Sequence, residues 1–318
     1  MISGYSPRVE NASSPEKKTA DRLDSGAVVL SALRSALASA DAALDHVDTA
    51  TERRESVRTA RRELKSVRAL APLLRVRENS ANQTSVDGVL EFSAKANQLL
   101  GPLRDRDALA RSIQKIADRF ADNETRRVAR TVLLATLVFA EGDRRDDAHF
   151  AATAIERARR AIRQARAVLA HFDATRASTG SRAGEAIIGA YEDCREMLES
   201  ALEEGDLVAL HACRKHATFL ALALRAFGES LPTPLRRVRG RAKSLAAALG
   251  EDRDLALLDV EMCVARARFE GAPLAGAIDD ALRLARLESF ARAEDAARAF
   301  LRIGPSRTRR EVRTLFDA

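Results

Sequence analysis

The sequence has no Trp, two Tyr and three Cys in 318 residues. So few aromatic side chains predict a core of Ala, Leu and Val, and they argue against a surface that stacks single-stranded bases. The three Cys (Cys194, Cys213 and Cys263) are far apart, so they cannot form a complete disulfide framework, and no Cys-x-x-Cys pair offers zinc ligands. We expect reduced thiols, a cytoplasmic protein, no metal site and no cofactor.

Long apolar runs are also lacking. No stretch approaches 18 uncharged apolar residues, and Thr131–Ala140, with ten residues, suits a buried helix. We therefore expect no membrane span. Residues 1–25 carry four basic and four acidic side chains and no apolar signal region, which predicts a disordered N-terminal tail.

Strand patterns are nearly absent, because no segment alternates β-branched and polar residues. Ala, Leu, Arg and Glu dominate, and all are strong helix formers. The sequence therefore predicts an all-α fold of long helices joined by short connections, which favours antiparallel bundles. Polar or Gly-containing clusters predict the helix breaks near residues 46–52, 78–85, 121–124, 141–145, 173–184, 203–206, 228–234 and 270–273.

Two landmarks recur in the same order. Residues 100–105 read Leu-Gly-Pro-Leu-Arg-Asp, and residues 249–254 read Leu-Gly-Glu-Asp-Arg-Asp. Upstream, residues 57–62 (Val-Arg-Thr-Ala-Arg-Arg) match residues 210–215 (Leu-His-Ala-Cys-Arg-Lys). Recurrence of both landmarks predicts an internal duplication, with two similar helical bundles (26–175 and 176–318) related by a pseudo-two-fold axis.

Basic side chains are the only candidate chemistry in the chain. Of 53 Lys and Arg residues only seven are Lys, and the formal net charge is +7. One stripe of cations, spaced 3, 4 and 3 apart, spans an arc of about 80° on its helix, beside the apolar face. Its members are Arg58, Arg61, Lys65 and Arg68. Because aligned cations repel one another, the stripe indicates a site for a multivalent anion, although a solvated basic face is the alternative.

The second half carries a thinner stripe. His211 and Arg214 stand at the matching positions, Thr218 and Ala221 replace the next two cations, and Arg225 follows on the same arc. The Arg–Asp pairs 104–105 and 253–254 either help to receive an anion at a helix start or have a structural role, in which they cap helices or connect the two halves. Two further ridges, Arg236/Arg239/Lys243 and Arg159/Arg163/Arg166, are typical of solvated surface.

Enzyme signatures are missing from the sequence. It has no Gly-rich phosphate loop, no H-E-x-x-H, no G-x-S-x-G and no carboxylate pair suited to acid–base work. The sequence thus favours a non-enzymatic anion-binding protein. A nucleic-acid-binding protein, a structural helical scaffold and, least favoured, a phosphohydrolase are the alternatives.

The repeated basic helix followed by a Leu-Gly-x-x-Arg-Asp segment resembles the CHAD family, the conserved histidine α-helical domain. The resemblance covers residues 26–318 and implies two four-helix bundles with a basic central groove for inorganic polyphosphate. Some family members are located on polyphosphate granules, so the resemblance implies granule targeting as well. Some are joined to a triphosphate-processing domain, whose Glu-x-Glu-x-Lys strand this sequence lacks, so catalysis is not carried over.

The resemblance assigns family positions to both halves, with departures. Arg58 replaces the first signature His, and Thr218 and Ala221 replace expected cations, so the second half is expected to bind phosphate more weakly. Inorganic polyphosphate is the expected partner, nucleic acid is less favoured, and no membrane is expected. The predicted polyphosphate-binding residues are Arg58, Arg61, Lys65, Arg68, Arg104, His211, Arg214, Arg225, Arg239, Lys243 and Arg253.

Overall fold

A computed structural model describes residues 25–45, 49–75, 81–140, 147–173, 180–266 and 270–316. The predicted N-terminal tail, apart from Ser25, lies outside the described residues. Within them the chain forms eleven α-helices and no strand, which confirms the all-α prediction. The helices are α1 (Ser25–Ala43), α2 (Ala50–Leu70), α3 (Ala81–Leu99), α4 (Gly101–Ala117), α5 (Asn123–Ala140), α6 (Asp147–Ala170), α7 (Gly180–Glu204), α8 (Leu207–Arg225), α9 (Thr233–Val264), α10 (Ala275–Leu301) and α11 (Pro305–Phe316).

The predicted break at 141–145 lies outside the described residues, and each of the other seven lies at or near a helix boundary. The start of α2 has a local cause, since the Thr49 hydroxyl accepts from the Glu52 backbone N–H while the Glu52 carboxylate accepts from the Thr49 N–H. This reciprocal pair satisfies two donors that a helix start otherwise leaves open. Some boundaries were not predicted, and one of them is the end of α2 at Leu70, where the short 3-10 helix Ala71–Leu74 begins. The single residue Leu100 separates α3 from α4, and residues 302–304 separate α10 from α11.

The larger hydrophobic core draws on both halves of the chain. It is built from Ala, Leu and Val, with few aromatics, as the composition predicts. Helices α1, α2, α3 and α6 pack on one another in the first half, and α7, α8, α9, α10 and α11 pack together in the second. The two groups meet where α2 packs against α8, so the basic helices of the two halves are neighbours.

A second, smaller core joins helices from different halves. It contains Ile113 and Ile116 of α4, Leu133 of α5, Leu258 of α9 and Ile278 of α10. Helices α4 and α5 therefore pack on the far ends of α9 and α10 rather than only on their own half. The division into two separate four-helix bundles with pseudo-two-fold symmetry stays a prediction.

Helix α1 is long and apolar enough to cross a membrane, by length and composition alone. Its 18-residue window has a mean hydropathy of 1.2, with 44% of the window buried inside the protein. Val29, Leu33 and Leu37 of this helix lie in the larger core, and α1 packs on α2 and α6. In the part of the chain that the structure describes, it is the one helix that meets this test.

Candidate anion-binding groove

A groove runs between α2 and α8, with α4 and α9 at its sides. It consists of two adjoining volumes of about 540 and 650 Å³. Both volumes are lined by Arg61, Lys65, Arg104 and Thr218, so they form one continuous depression. We call the smaller volume the α4 side and the larger the α8 side of the groove. The two basic helices that the sequence repeat relates thus face one site.

The α8 side of the groove has an uncompensated positive charge. Seven Lys and Arg side chains and one His line it, and no carboxylate does. Of these seven cations, only Arg104 forms an ion pair within the described residues. The cations are Arg61, Lys65, Arg68, Arg104, Arg214, Lys215 and Arg253, and the histidine is His211. Clustered like charges destabilise the empty site and favour a bound polyanion.

The glycines of the repeated segments explain why the two landmarks recur together. The Arg61 guanidinium lies against α4 at Gly101, and its Nη1 donates to the Asn97 carbonyl at 2.5 Å. In the second half the Arg214 guanidinium lies against Gly250, where an added Cβ would stand 3.2 Å from Nη2. Gly leaves space for an arginine to lie on the helix backbone, so each basic helix is matched to its own Leu-Gly segment.

The Lys65 side chain is partly buried among other cations of the groove. Burial, together with the positive charges of Arg214, Arg61 and Arg104, lowers the pKa of Lys65 from its usual 10.5 to about 8. Burial also lowers the pKa of Arg61 and Arg214, and the neighbouring arginines add to the effect. In the free protein at neutral pH, burial and neighbouring positive charges therefore destabilise the charged forms of Lys65, Arg61 and Arg214. A bound anion would lower this free-energy cost.

Arg104 and Arg253 occupy the same motif position but have different surroundings. Arg104 donates to Asp254 at 2.6 Å and to Asp105 at 3.0 Å, and its side chain is only 17% exposed. This contact connects the two halves, which is one of the roles predicted for the Arg–Asp pairs. Arg253 is exposed and forms no ion pair among the described residues, so its side chain is available to a ligand.

His211 differs from its counterpart Arg58. The Nε2 atom of His211 lies 2.8 Å from the carboxylate of the buried Asp252, while its buried Nδ1 has no hydrogen-bond partner. At the position of Asp252 the first half has Leu103, so both members of the pair are exchanged together. Arg58 instead forms an ion pair with Glu55, with a side chain that is 60% exposed. Glu55 lies three residues before Arg58 on α2, so an acid stands at the start of the stripe.

The α4 side of the groove contains cations that the sequence analysis missed. Arg58 and Lys243, both predicted, line it, and Lys243 comes from a ridge expected to be plain surface. Five more arginines join them, and Asp107 is the one acid in this lining. These five are Arg53, Arg54, Arg62, Arg106 and Arg111. Arg54 and Arg62 each lie one helical turn from Arg58 on α2, so the spacing of the predicted stripe could have found them, whereas Arg106 and Arg111 come from α4 and extend no predicted stripe.

Two of the predicted binding residues, Arg225 and Arg239, line neither side of the groove. Arg225 reaches from α8 to α2, where it donates to Ser66 at 2.9 Å and Glu63 at 3.2 Å. It therefore connects the two halves, as Arg104 does. The ridge Arg159/Arg163/Arg166 is also structural, because all three guanidinium groups lie within 4 Å of Asp41 on α1.

No group of three or more His, Cys, Asp or Glu side chains in the described residues could hold a metal ion. The thiols of Cys194 and Cys213 are buried, and burial raises their pKa values to about 12 and 11. Cys263 is exposed on α9, outside the groove lining. Among the described residues, the groove lining thus contains neither a Cys nor a group of side chains that could hold a metal ion.

Comparison with known proteins agrees with these residues. The family model of the CHAD domain matches residues 28–262, which includes both basic helices and both Leu-Gly-x-x-Arg-Asp segments. Comparisons with curated proteins and with solved structures found no match. Because the family model covers well over half of the sequence, the chain belongs to the CHAD domain family.

Proposed function

We propose that the groove binds inorganic polyphosphate. The observation that carries this proposal is the lining of the α8 side, with seven Lys and Arg and no carboxylate. Polyphosphate is a linear chain of anions without bases, so it requires a row of cations and no stacking surface. Membership of the CHAD family is consistent with a polyphosphate-related function in general.

The spacing of the groove cations suits such a chain. Arg61, Lys65 and Arg68 follow one another along α2, and together they extend over about 10 Å of helix. Arg214 and Arg253 face them from the second half of the chain. Arginine donates two parallel hydrogen bonds to phosphate oxygens, so two facing rows can hold both sides of the polyanion.

We propose binding without catalysis, because the acids next to the groove already have partners. Asp254 accepts from Arg104, Asp107 from Arg111, and Asp252 pairs with His211. Carboxylates held in this way stabilise the positions of the basic side chains. They are poorly placed to activate water or to carry a proton in a reaction.

We also propose that the two halves arose by internal duplication and are related by a pseudo-two-fold axis. Each half supplies a basic helix whose arginine, Arg61 or Arg214, lies on the glycine of its own Leu-Gly segment. Two copies related by a pseudo-two-fold axis near the α2–α8 contact would place these arginines on both sides of one chain. In the cell, such a protein would be cytoplasmic and would collect on polyphosphate granules.

The test is competition at equal phosphate concentration. Unlabelled polyphosphate should displace fluorescent duplex DNA from the protein, while DNA should displace labelled polyphosphate poorly. The affinity for polyphosphate should also fall steeply with salt, as counterion release requires. Stronger retention of DNA would contradict the proposal and favour the nucleic-acid alternative.

A multiple substitution tests whether polyphosphate binds in the groove. Changing Arg61, Lys65 and Arg214 to Gln should remove most of the binding. Changing the exposed Arg127, Arg130 and Arg157, which line neither side of the groove, removes the same charge and serves as the control. Equal losses in both variants would show that net charge, and not the groove, determines binding.

A further inference from the structure

A second basic pocket lies away from the groove, between α9, α10 and α11. Its volume is about 590 Å³, comparable with either side of the groove. Four arginines from three segments of the chain line it. They are Arg237 and Arg241 on α9, Arg302 just after α10, and Arg307 in the first turn of α11.

No acid compensates these four arginines. The pocket lining contains no carboxylate, and none of the four guanidinium groups forms an ion pair or a side-chain hydrogen bond with the described residues. Other exposed arginines, such as Arg127 and Arg157, also lack an acidic partner among the described residues, but they line none of these three cavities. What distinguishes the four pocket arginines is that they converge on one concavity whose lining contains no carboxylate.

The backbone adds to the positive potential. Helix α11 begins at Pro305, and its Thr308 N–H makes the first helical bond, to the Gly304 carbonyl. The N–H groups that precede it in the first turn have no acceptor within the helix, and they lie beside the Arg307 side chain. The pocket therefore combines forked donors with a helix start, two features that separately favour phosphate oxygens.

This pocket and the groove lie on opposite faces of α9. Arg237 precedes the groove residue Ala246 by nine positions, which is about 180° around the helix, and Arg241 precedes Lys243 by two, which is about 200°. No residue lines both the groove and the pocket. The family model ends at residue 262, so Arg302 and Arg307 lie outside the matched region.

We propose that this pocket is a second site for a compact polyvalent phosphate anion of the size of tripolyphosphate. Its ligand could be a free short polyphosphate or the end of a long chain, since both present the same phosphoryl groups. The inference does not depend on the function proposed for the groove, because the two sites share no side chain.

The test uses calorimetric titration of the full chain with tripolyphosphate at low salt. In a background with Arg61, Lys65 and Arg214 changed to Gln, about one tripolyphosphate per chain should still bind. Changing Arg237, Arg241, Arg302 and Arg307 to Gln as well should weaken this remaining binding about a hundredfold. If the groove substitutions leave the tripolyphosphate binding of the wild type unchanged, the function proposed for the groove is contradicted, while the pocket proposal is still tested by the four pocket substitutions.

The matched control changes four other exposed arginines, Arg127, Arg130, Arg157 and Arg160, to Gln in the same background. These residues line none of the three cavities and remove the same charge. The control should lower the affinity less than about threefold, which is the effect of long-range charge alone. Equal losses in the pocket and control variants would overturn the proposal.

A second variant tests the pocket without removing arginines. Gly240 lines the pocket within α9, and an added Cβ there would meet no atom within 4 Å. Gly240→Glu therefore places a carboxylate among the four arginines and should abolish tripolyphosphate binding there, while Gly240→Gln should keep most of it. Undiminished binding to Gly240→Glu would also overturn the proposal.

Long polyphosphate and duplex DNA separate the possible sources of the anion. If the pocket receives chain ends, the quadruple pocket variant should lose affinity for long polyphosphate as well as for tripolyphosphate. If it receives free short anions only, the affinity for long chains should be unchanged. Loss of DNA binding with tripolyphosphate binding intact would contradict the inference.

Discussion

The two copies of the repeated landmark keep one contact and differ in almost everything around it. Arg61 and Arg214 both lie on the glycine of a Leu-Gly segment, and both face the groove. Around them the first copy has Lys65 and a helix break at Leu100, whereas the second has Thr218 and an unbroken α9. The comparison teaches that the two copies retain the contact between an arginine and a glycine at the groove, while the residues around this contact differ.

The motif arginines show the same division of roles. Arg104 is held between Asp105 and Asp254, and so it stabilises the contact between the halves. Arg253 is exposed and forms no ion pair in the described part of the chain. One copy thus uses the position to connect the two halves, and the other leaves its arginine exposed in the groove lining.

The largest expected effect comes from removing the contact that the copies share. Arg61→Gln and Arg214→Gln should each weaken polyphosphate binding about tenfold, and the double variant about a hundredfold, because each removes charge-assisted hydrogen bonds of about 1.5–3 kcal/mol. Fluorescence anisotropy with labelled polyphosphate measures both losses. A loss confined to Arg61→Gln would show that the second copy no longer binds.

The next largest effect is expected on the free energy of unfolding. It distinguishes the roles of Asp254 and Asp105, the two acids that pair with Arg104. Asp254→Asn leaves the half-buried Arg104 without its interhelical partner and should lower the free energy of unfolding by about 1–3 kcal/mol. Asp105 is 47% exposed, so Asp105→Asn should cost less than about 1 kcal/mol. Urea denaturation followed by circular dichroism compares the two. Equal costs would refute the assignment of Arg104 to the contact between the halves.

A smaller effect concerns Lys65, which has no counterpart in the second copy. Because its pKa is lowered to about 8, the side chain is mostly charged at pH 7 and mostly neutral at pH 9. Affinity for polyphosphate should therefore fall about fivefold between these pH values, the scale of one lost phosphate contact. Lys65→Arg keeps its charge and should flatten the profile. An unchanged profile in this variant would assign the pH dependence to another group.

The same shift has a consequence for the stability of the free protein, and its sign is opposite. The unfolded chain binds a proton at Lys65 up to its usual value of 10.5, whereas the folded chain releases it near 8. Between these values the unfolded state holds more protons, so this residue makes stability rise with pH. Parallel denaturation of the wild type and Lys65→Arg at pH 8 and pH 10 reveals it.

The smallest effect is expected from substitution of the two glycines of the Leu-Gly segments, Gly101 and Gly250. A Cβ at Gly101 would lie 3.6 Å from the Arg61 Nη1, an ordinary contact, whereas at Gly250 it would lie 3.2 Å from the Arg214 Nη2. Both Gly→Ala changes should favour the helix, by up to about 1 kcal/mol. Only Gly250→Ala should displace an arginine and weaken binding, about twofold, or a few tenths of a kcal/mol. Binding loss in Gly101→Ala alone would reverse the comparison.

Local sequence signals predicted the helices well. Helix content, the seven breaks within the described residues and the match between the two landmarks all depend on nearby residues, as the Thr49–Glu52 pair at the start of α2 illustrates. The break at Leu100 was not predicted, because Leu-Gly also occurs at 249–250 inside an unbroken helix. The proline that follows Gly101 and the packing of α4 on α9 distinguish the two places.

The composition of the candidate site was harder to predict, because it depends on which helices meet. Arg61, Lys65 and Arg214 lie in the groove where the stripes placed them. Arg225 lies on the predicted arc but contacts Glu63 and Ser66 of α2 instead of lining the groove. Arg106 and Arg111 line the groove only because α4 crosses beside α2, a contact between segments about 50 residues apart that no local spacing reveals.

The 32-residue length of α9 affects how the two hydrophobic cores unfold. This helix is about 48 Å long. It contributes Leu245 to the larger core and Leu258 to the smaller one, and Arg253 faces the groove between these positions. Melting of the smaller core therefore frays the C-terminal part of a helix whose N-terminal part the larger core holds, so α9 connects the two cores. An anion held at Arg253 would then slow amide hydrogen exchange at both ends of the same helix, far from any contact it makes.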